Sequence, residues 1–541
     1  MSKLKLGLTI SGAVSLGAYE AGALAALITA AAASDGNIVI DAISGASAGA
    51  MTAVLTAFCV THPDEDPYDV MWTAWVDEPS LANLRSRDDD APLSIGSTRD
   101  HWNKKLTAEA GTAAEGLTVR LSLAVVSLGG LGYHVVVGGL RGVIDASTHL
   151  DWSNHVLSST SLAADWARAL DAAVTSGANA AGFAPRVFAH SEAEREQMLA
   201  DGIQNPAPAG AWYTDGGTLD NEPFGRLLDM IGGLDDEGAD DPSKPGDNRL
   251  VMLIHPCSDS LPGKSRWTDV TVRPAWLFTA WAALRILAEQ SLTSDLQRLA
   301  KTNSRVRWLD QLAANLAGAL GSSDPDVRKA VRDALTTSIS WLAAQQQEIA
   351  EAAVTADGAT PPAPAATVPG RARAETGDAD VTEAELQKLF KAAFGQATGL
   401  AEKRAVQVDV ISPAISSPDE PSDDLTAGEK IGHFFGFADE RFRASDFRLG
   451  WENMRAWFAD NLDSRGVLNA AGIIAAVDKV AGDKKLSKHV LMGNAGWGDL
   501  SLVDVASLSR VAAHATGVIV HDLAHRDGTR IAPAATGPAS P

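Results

Sequence analysis

The order of strand-like and turn-like segments predicts an α/β fold: a mostly parallel central sheet flanked by helices, with an additional, largely helical C-terminal lobe. Three observations carry this. Lys3–Ser11 and Asn37–Ser44 are short apolar strand patterns, each followed by a glycine-bearing turn and an Ala-rich helical stretch, Ala18–Ala33 and Ala48–Cys59. Such a strand–turn–helix repeat is how parallel sheets begin. Arg249–His255 (RLVMLIH) is the continuous apolar run of a fully buried strand. Near residue 265 the pattern changes to long helical periodicity.

Between these landmarks, residues 61–116 are mixed and polar, and Asp88–Asp90 reads as a solvated loop. Leu117–Ile144 reads as paired strands. Its run to Val143 is interrupted by Arg120, His134 and Arg141 and by six glycines, so it is not a membrane helix of about 20 clean apolar residues. Leu162–Thr175 is helical, and Trp212–Gly217 ends a short strand. Pro274–Ala300 and Val306–Val354 read as helical, with Pro274 suited to a first helical position. Residues 356–380 are Ala- and Pro-rich without an apolar period, the composition of a linker. Leu386–Ala401 is helical, Val406–Ile411 strand-like and Val503–Ala524 a late helix. The expected organisation is a catalytic domain over 1–264 and a helical accessory region over 265–355. The linker then leads to a mostly helical region, 381–530, packing on the catalytic domain, and to a disordered tail, 531–541.

Composition narrows the function classes. The 541 residues hold 45% hydrophobic and 21% charged residues, ordinary for a globular protein. A net charge of −23 argues against nucleic acid as a partner, because neutralising phosphates needs basic surface. It also argues against general attraction to anionic membranes, though a local patch overrides net charge, so peripheral membrane contact stays open. The N-terminal MSKLKLGLTISGAVSLGAYEAG reads as strand and loop, not as a signal peptide, and a cytoplasmic location is expected. Cys59 and Cys257 lie beside apolar runs and read as buried thiols.

The chemistry-bearing motif is Gly45-Ala46-Ser47-Ala48-Gly49, set between a β-run and an Ala-rich helix. Flanking glycines permit a tight strand-to-helix turn that presents the serine Oγ, and the helix N-terminus behind it favours a developing anion. Gly45 and Gly49 therefore support the turn, and the competing reading is a plain structural turn.

The first 260 residues resemble the patatin-like phospholipase family in four ordered places: Ser11-Gly12-Ala13-Val14-Ser15-Leu16-Gly17 after the first strand, Gly45–Gly49 after the second, SGANAAGFAPRVF at Ser176–Phe188, and Asp215-Gly216-Gly217 extended by Asn221 and Pro223. The resemblance implies a patatin-like fold and a lipid or acyl-ester substrate, with no cofactor and no metal. It implies a catalytic dyad in which Asp215 takes the proton of Ser47, supported by Gly216 and Gly217, and an oxyanion hole from the backbone of Gly12, Ala13 and Val14. Where the family has consecutive glycines and often a cation, this chain has Ala13, Val14 and Leu16. Two alternatives remain open: a catalytically weak patatin-like binding or scaffold protein, motivated by those departures, and an α/β-hydrolase esterase with a Ser-His-Asp triad. For the triad, His255 is the nearest candidate base, although a strand-end residue with a satisfied ring is its ordinary role. His521 and His525 have metal-ligand spacing on a helix but no third ligand. Phe434–Trp457, which mixes Arg with Phe and Trp, resembles a segment of the longer bacterial patatin-like proteins. It reads as a packing helix, with a basic aromatic strip for lipid headgroups as the rival reading.

Overall fold

The computed structural model describes residues 3–85, 91–111, 117–136, 143–180, 182–200, 202–204, 206–207, 210–237, 248–256, 276–338, 406–417, 425–427, 434–493, 495 and 497–525. Asp88–Asp90, Cys257, Pro274, the 356–380 segment, Leu386–Ala401 and the 531–541 tail lie outside these residues.

The chain opens with β1 (Leu4–Ile10), α1 (Gly17–Ala32), β2 (Ile38–Gly45) and α2 (Ala48–Thr61), the expected repeat. β3 (Thr118–Val136) and β4 (Val143–Ser158) form a long antiparallel pair. β5 (Arg186–Phe188), β6 (Ile203–Gln204), β7 (Ala211–Asp215), β8 (Asn248–Ile254) and β9 (Gln407–Ile411) complete one sheet. Its order is β5-β7-β3-β2-β1-β8-β9, with β4 and β6 also paired to β3. The run β3-β2-β1-β8-β9 is parallel, and the strands beyond it, β4 to β7, attach antiparallel. The sheet is thus mixed with a parallel centre, and helices flank it.

Burial explains the parallel centre. β1 and β8 read LKLGLTI and NRLVMLI and are buried along nearly their whole length, as strands covered on both faces must be. α1, GAYEAGALAALITAAA, is buried almost all round because it lies between the sheet and α11 (Glu440–Asn461). Small residues set that approach. A Cβ on Gly22 would overlap the Phe447 carbonyl oxygen, and one on Gly450 the Tyr19 carbonyl oxygen. The two helix backbones therefore touch at a glycine crossing, and Asn453 Nδ2 donates to Tyr19 Oη at 3.0 Å beside it.

The described part of residues 61–116, a stretch that reads only as mixed and polar, holds α3 (Pro67–Trp72), α4 (Leu81–Leu84) and α5 (Gly96–Ala108). Asp66 and Ser80 cap the first two through bonds to backbone N–H groups, a local signal of N-termini. The helical stretches expected to part between Ala300 and Val306 are instead one helix, α9 (Trp276–Leu320). No Gly or Pro falls in that interval, and Asn303, a weak helix former, is held by two bonds to the Val406 peptide. The break comes at Gly321–Pro325, where Asp324 caps α10 (residues 325–338). Farther on are α12 (Ala470–Asp483) and α13 (Leu502–His525), the latter matching the expected late helix. Between α5 and α9 lie α6 (Ala163–Ser176), α7 (Glu192–Ala200) and α8 (Phe224–Glu237).

Candidate active site

Three chain reversals at the ends of β1, β2 and β7 meet, as sites in open α/β sheets do at strand C-termini. Ser47 sits between β2 and α2 with φ 51° and ψ −124°, a conformation a side-chain-bearing residue adopts only under constraint. The constraint is visible. The Ser47 N–H donates to Ser176 Oγ at 2.8 Å, and the Ala46 N–H donates to the Ile10 carbonyl. Gly45 closes β2, and Gly49 lies so near Ser11 and Ile10 that a Cβ would overlap their carbonyls. The turn thus aims the hydroxyl away from the helix and toward β7.

At the end of β7, Asp215 Oδ2 accepts the Ser47 hydroxyl at 3.0 Å. The same oxygen accepts from Asn179 Nδ2 at 2.9 Å, and Oδ1 accepts from the Gly217 N–H at 2.8 Å. Asp215 is only 2% exposed. Burial raises its carboxyl to about 6, against the lowering effect of the hydrogen bonds from Gly217, Ser47 and Asn179. Gly216 packs against the Ala124 backbone with no room for a side chain. Asn179 lies within the SGANAAGFAPRVF segment, but nothing in its spacing marks it out from the other small and polar residues there; only the fold brings it to Asp215.

The loop after β1 behaves differently from expectation at one residue. Gly12 was expected to turn its N–H into the cleft with Ala13 and Val14. Its N–H instead donates to the Asn221 carbonyl at 2.9 Å, and its carbonyl accepts from Asn221 Nδ2 at 2.9 Å. Asn221 thus clamps the Gly12 peptide, and Gly12 is needed for space: a Cβ would meet Asn221 Oδ1 and come within 2.8 Å of Ser47 Cβ. The donor candidates narrow to Ala13 and Val14, the latter lining the cleft at Ser47. Val14 has φ 51°, an outlier for a β-branched residue. It shares that strained region with Ser47 across the cleft.

Asn221 Nδ2 also donates to Glu222 Oε1 at 2.6 Å, and His255 Nε2 lies 3.1 Å from that same oxygen. His255 is therefore engaged with Glu222, while the acceptor of the Ser47 hydroxyl is Asp215. Beside them Ser11 Oγ donates to Glu20 Oε1 at 2.9 Å, and burial pushes the Glu20 carboxyl well above the ordinary carboxylate range. His521 and His525 lie on α13, their side chains outside the described set. Among the described residues no group of three or more His, Cys, Asp or Glu side chains is placed to hold a metal ion. Cys59 is a free, buried thiol whose pKa burial raises, an inert packing residue.

In front of Ser47 opens a cleft whose walls are almost wholly apolar, including Val14, Met51, Trp75, Leu84, Ile95 and Phe437. Trp75 belongs to a π-helical turn, Thr73–Asp77, and Phe437 to a 3-10 turn, Phe434–Ala438. Arg443 of α11 ties these two walls together. Its Nε and Nη2 donate to the Val76 carbonyl at 3.0 and 2.8 Å, and Nη1 donates to the Gly436 and Phe437 carbonyls. The Phe434–Trp457 segment is thus a packing element, with Arg443 only 3% exposed.

The patatin-like phospholipase family model matches residues 8–228, which include Gly12–Val14, Ser47, Asn179, Asp215 and Asn221. Residues 8–228 form a patatin-like phospholipase domain. No curated protein matches the chain. Among solved structures, the crystal structure of VipD from Legionella pneumophila aligns over 96% of this chain and 91% of that one, at 12% identity and a TM-score of 0.21. The patatin-like domain spans the sheet from β1 to β7. β8 and β9 lie beyond the matched residues yet complete the sheet on the β1 side.

Proposed function

We propose that the protein is a serine hydrolase of lipid acyl esters, with Ser47 as nucleophile and Asp215 as its base. The observation that carries this is the 3.0 Å hydrogen bond from Ser47 Oγ to a buried carboxylate at the end of an apolar cleft. A serine hydroxyl needs a base to become a competent nucleophile. Desolvation gives Asp215 a proton affinity far closer to neutrality than a solvated aspartate has.

Ser47 Oγ attacks the ester carbonyl carbon as its proton passes to Asp215 Oδ2. The carbonyl oxygen becomes an oxyanion facing the Ala13 and Val14 N–H groups and the N-terminus of α2. Collapse breaks the bond to the alkoxy oxygen, which takes the proton from Asp215 and leaves as the alcohol. Water, deprotonated by Asp215, then attacks the acyl-enzyme, and the second tetrahedral intermediate releases the fatty acid and restores Ser47 and its proton. The apolar cleft takes the acyl chain. Every step uses a side chain or backbone group of this chain, and Asp215 alternates between base and acid.

The test is hydrolysis of a panel of glycerolipid and simple acyl esters of varied chain length. Ser47→Ala and Asp215→Asn should each lose about 10³-fold or more in kcat. His255→Ala should retain the Ser47-dependent reaction, and a chelator should leave it intact. An Asp215→Asn variant as active as wild type, or a reaction abolished by His255→Ala at full stability, would remove the dyad in favour of a histidine base.

A further inference from the structure

Two buried glutamates grip the loop after β1 from behind. Ser11, the first residue of that loop, donates from Oγ to Glu20 Oε1 at 2.9 Å. Gly12, the second, is held through Asn221, whose Nδ2 donates to the Gly12 carbonyl at 2.9 Å and to Glu222 Oε1 at 2.6 Å. Glu20 stands in the first turn of α1, and Glu222 lies between the 3-10 turn Gly216–Thr218 and α8. Carboxyls from two elements far apart in sequence thus hold consecutive residues of one loop.

Both placements are costly to the fold. Glu20 is fully buried and Glu222 is 1% exposed, and each keeps one oxygen, Oε2, without a hydrogen-bond partner. A buried polar atom left unpaired is destabilising, and folds tolerate such groups chiefly where function requires them. Burial raises the Glu20 carboxyl well above the ordinary carboxylate range; the Ser11 bond works against this and the Glu222 charge adds to it. Glu20 therefore favours its neutral form, and Oε1 serves Ser11 as a carbonyl oxygen does. Neither glutamate lines the apolar cleft, so whatever they do for a reaction they do through other residues.

The sense of the Asn221 amide shows what Glu222 contributes. Asn221 Oδ1 lies against the α-carbons of Gly12 and Gly217, where a Cβ would come within 2.2 and 2.6 Å of it. A flipped amide would set Oδ1 against the Gly12 carbonyl, acceptor facing acceptor. Glu222 Oε1 opposes the flip because it too takes its hydrogen bond from Nδ2. The next two residues, Ala13 and Val14, follow directly on the peptide so fixed, and Val14 is held at φ 51°, which a valine does not adopt unaided.

We propose that Glu20 and Glu222 are positioning residues of the oxyanion loop: acting through Ser11 and Asn221, they hold the Gly12 peptide so that the Ala13 and Val14 N–H groups face the oxyanion. The assignment rests on the acyl-hydrolase reading and extends it to residues behind the site. An oxyanion exists in the tetrahedral intermediate and not in the bound ester, so a loosened loop lowers kcat and leaves KM in place.

The experiment measures kcat and KM on a soluble short-chain ester for Glu20→Leu, Glu222→Leu and the two matching Gln variants. Each Leu variant should lose about 10- to 100-fold in kcat, part of the 10²–10³-fold that one oxyanion donor is worth, with KM within about threefold of wild type. Glutamine keeps the oxygen that accepts from Ser11 or Asn221, so Glu20→Gln and Glu222→Gln should recover most of that loss. Unchanged kcat in the Leu variants, a Gln loss as large as the Leu loss, or a raised KM at constant kcat overturns the proposal. Should the Leu variants not fold, Ser11→Ala removes one grip from the loop side and must itself lower kcat; an unchanged kcat there overturns the proposal as well. Where Glu20→Leu does fold, Ser11→Ala should add nothing to its loss, because both remove the same bond; additive losses count against it. Hydrogen exchange of the Ser11–Leu16 peptide, read by mass spectrometry, separates this proposal from the hydrolase. Faster exchange in the Leu variants than in the Gln variants, with no ester turned over by wild type, would sink the hydrolase and leave the grip standing. Unchanged exchange in every variant of an active enzyme would sink the grip alone.

Discussion

Asp215 is the residue on which chemistry and stability pull in opposite directions. Its carboxyl rises to about 6 because burial disfavours the charged form. The sign for activity is direct: as the proposed base, Asp215 works ionised, so the rate should fall as pH drops through about 6. Asn179 donates to the carboxylate and holds that value down, so Asn179→Ala should move the acid limb of the kcat/KM profile to higher pH. A limb that stays in place would remove Asn179 from the site. The sign for stability is the reverse. A folded-state pKa above the unfolded one contributes stability that is present below about 3.8 and lost as pH rises through about 6. Asp215→Asn should therefore unfold at a higher temperature than wild type at pH 7 while losing activity, as measured by calorimetry. At this scale the sequence was informative where a motif fixes backbone shape. Ser47 stands in a glycine-flanked turn whose shape local chemistry demands, whereas Asp215 was marked only by the resemblance of Asp215-Gly216-Gly217, with Asn221 and Pro223, to the family motif. Asn179 was not marked, because its role comes from the way α6 ends beside β7. Nor was the capture of the Gly12 peptide by Asn221, a contact across 209 positions that needs the assembled fold.

At the scale of elements, two crossings do most to position the site. The first is the loop from β1 into α1, where Val14 is held at φ 51° by the clamp on Gly12 and by the closing turn, in which the Leu16 N–H bonds to the Ala13 carbonyl. The strand and helix on either side were readable from apolar period. The handedness of Val14 was not, because a valine has no local preference for it and tertiary contacts impose it. The second is the glycine crossing of α1 and α11. Gly22→Val or Gly450→Val has to push two helix backbones apart, and should cost about 3 kcal/mol, the upper end of overpacking. Chemical denaturation at neutral pH measures it, and a loss below about 1 kcal/mol would mean that the helices do not meet as described. The sequence announced α1 as an Ala-rich stretch and α11 as a segment mixing Arg with Phe and Trp, without revealing that they touch, since α1 is apolar on nearly every side and has no face to read.

For the whole molecule, the patatin-like domain is not a self-contained body with appendages. β9 comes from the segment after residue 400, yet it extends the sheet in parallel beside β8. Asp409 in that strand accepts from Trp457 Nε1 at 2.8 Å and pairs with Arg465 at 2.7 Å, fastening the strand to α11 and the turn after it. Arg443, from the same helix, fixes two walls of the apolar cleft, and burial draws its guanidinium down to about 10. The apolar run at Val406–Ile411 announced a strand, but its partner lies across more than 150 positions of chain, and pairing over that distance leaves no local trace. The cleft of this molecule is therefore built by both halves of the chain, Phe437 coming from the second, while Ser47 and Asp215, the proposed reacting groups, lie in the first. That the reacting groups are Ser47 and Asp215 is the central claim, and trapping the nucleophile as a stable phosphonyl adduct tests it most directly. The protein is treated with a fluorophosphonate ester, and the adduct is followed by intact mass and located by peptide mapping. The account predicts one adduct, on Ser47, forming at pH 8 and slowing as pH falls through about 6, with labelling of Asp215→Asn slower by orders of magnitude. An adduct on another residue, or labelling of Ser47 at an undiminished rate in Asp215→Asn, would contradict it.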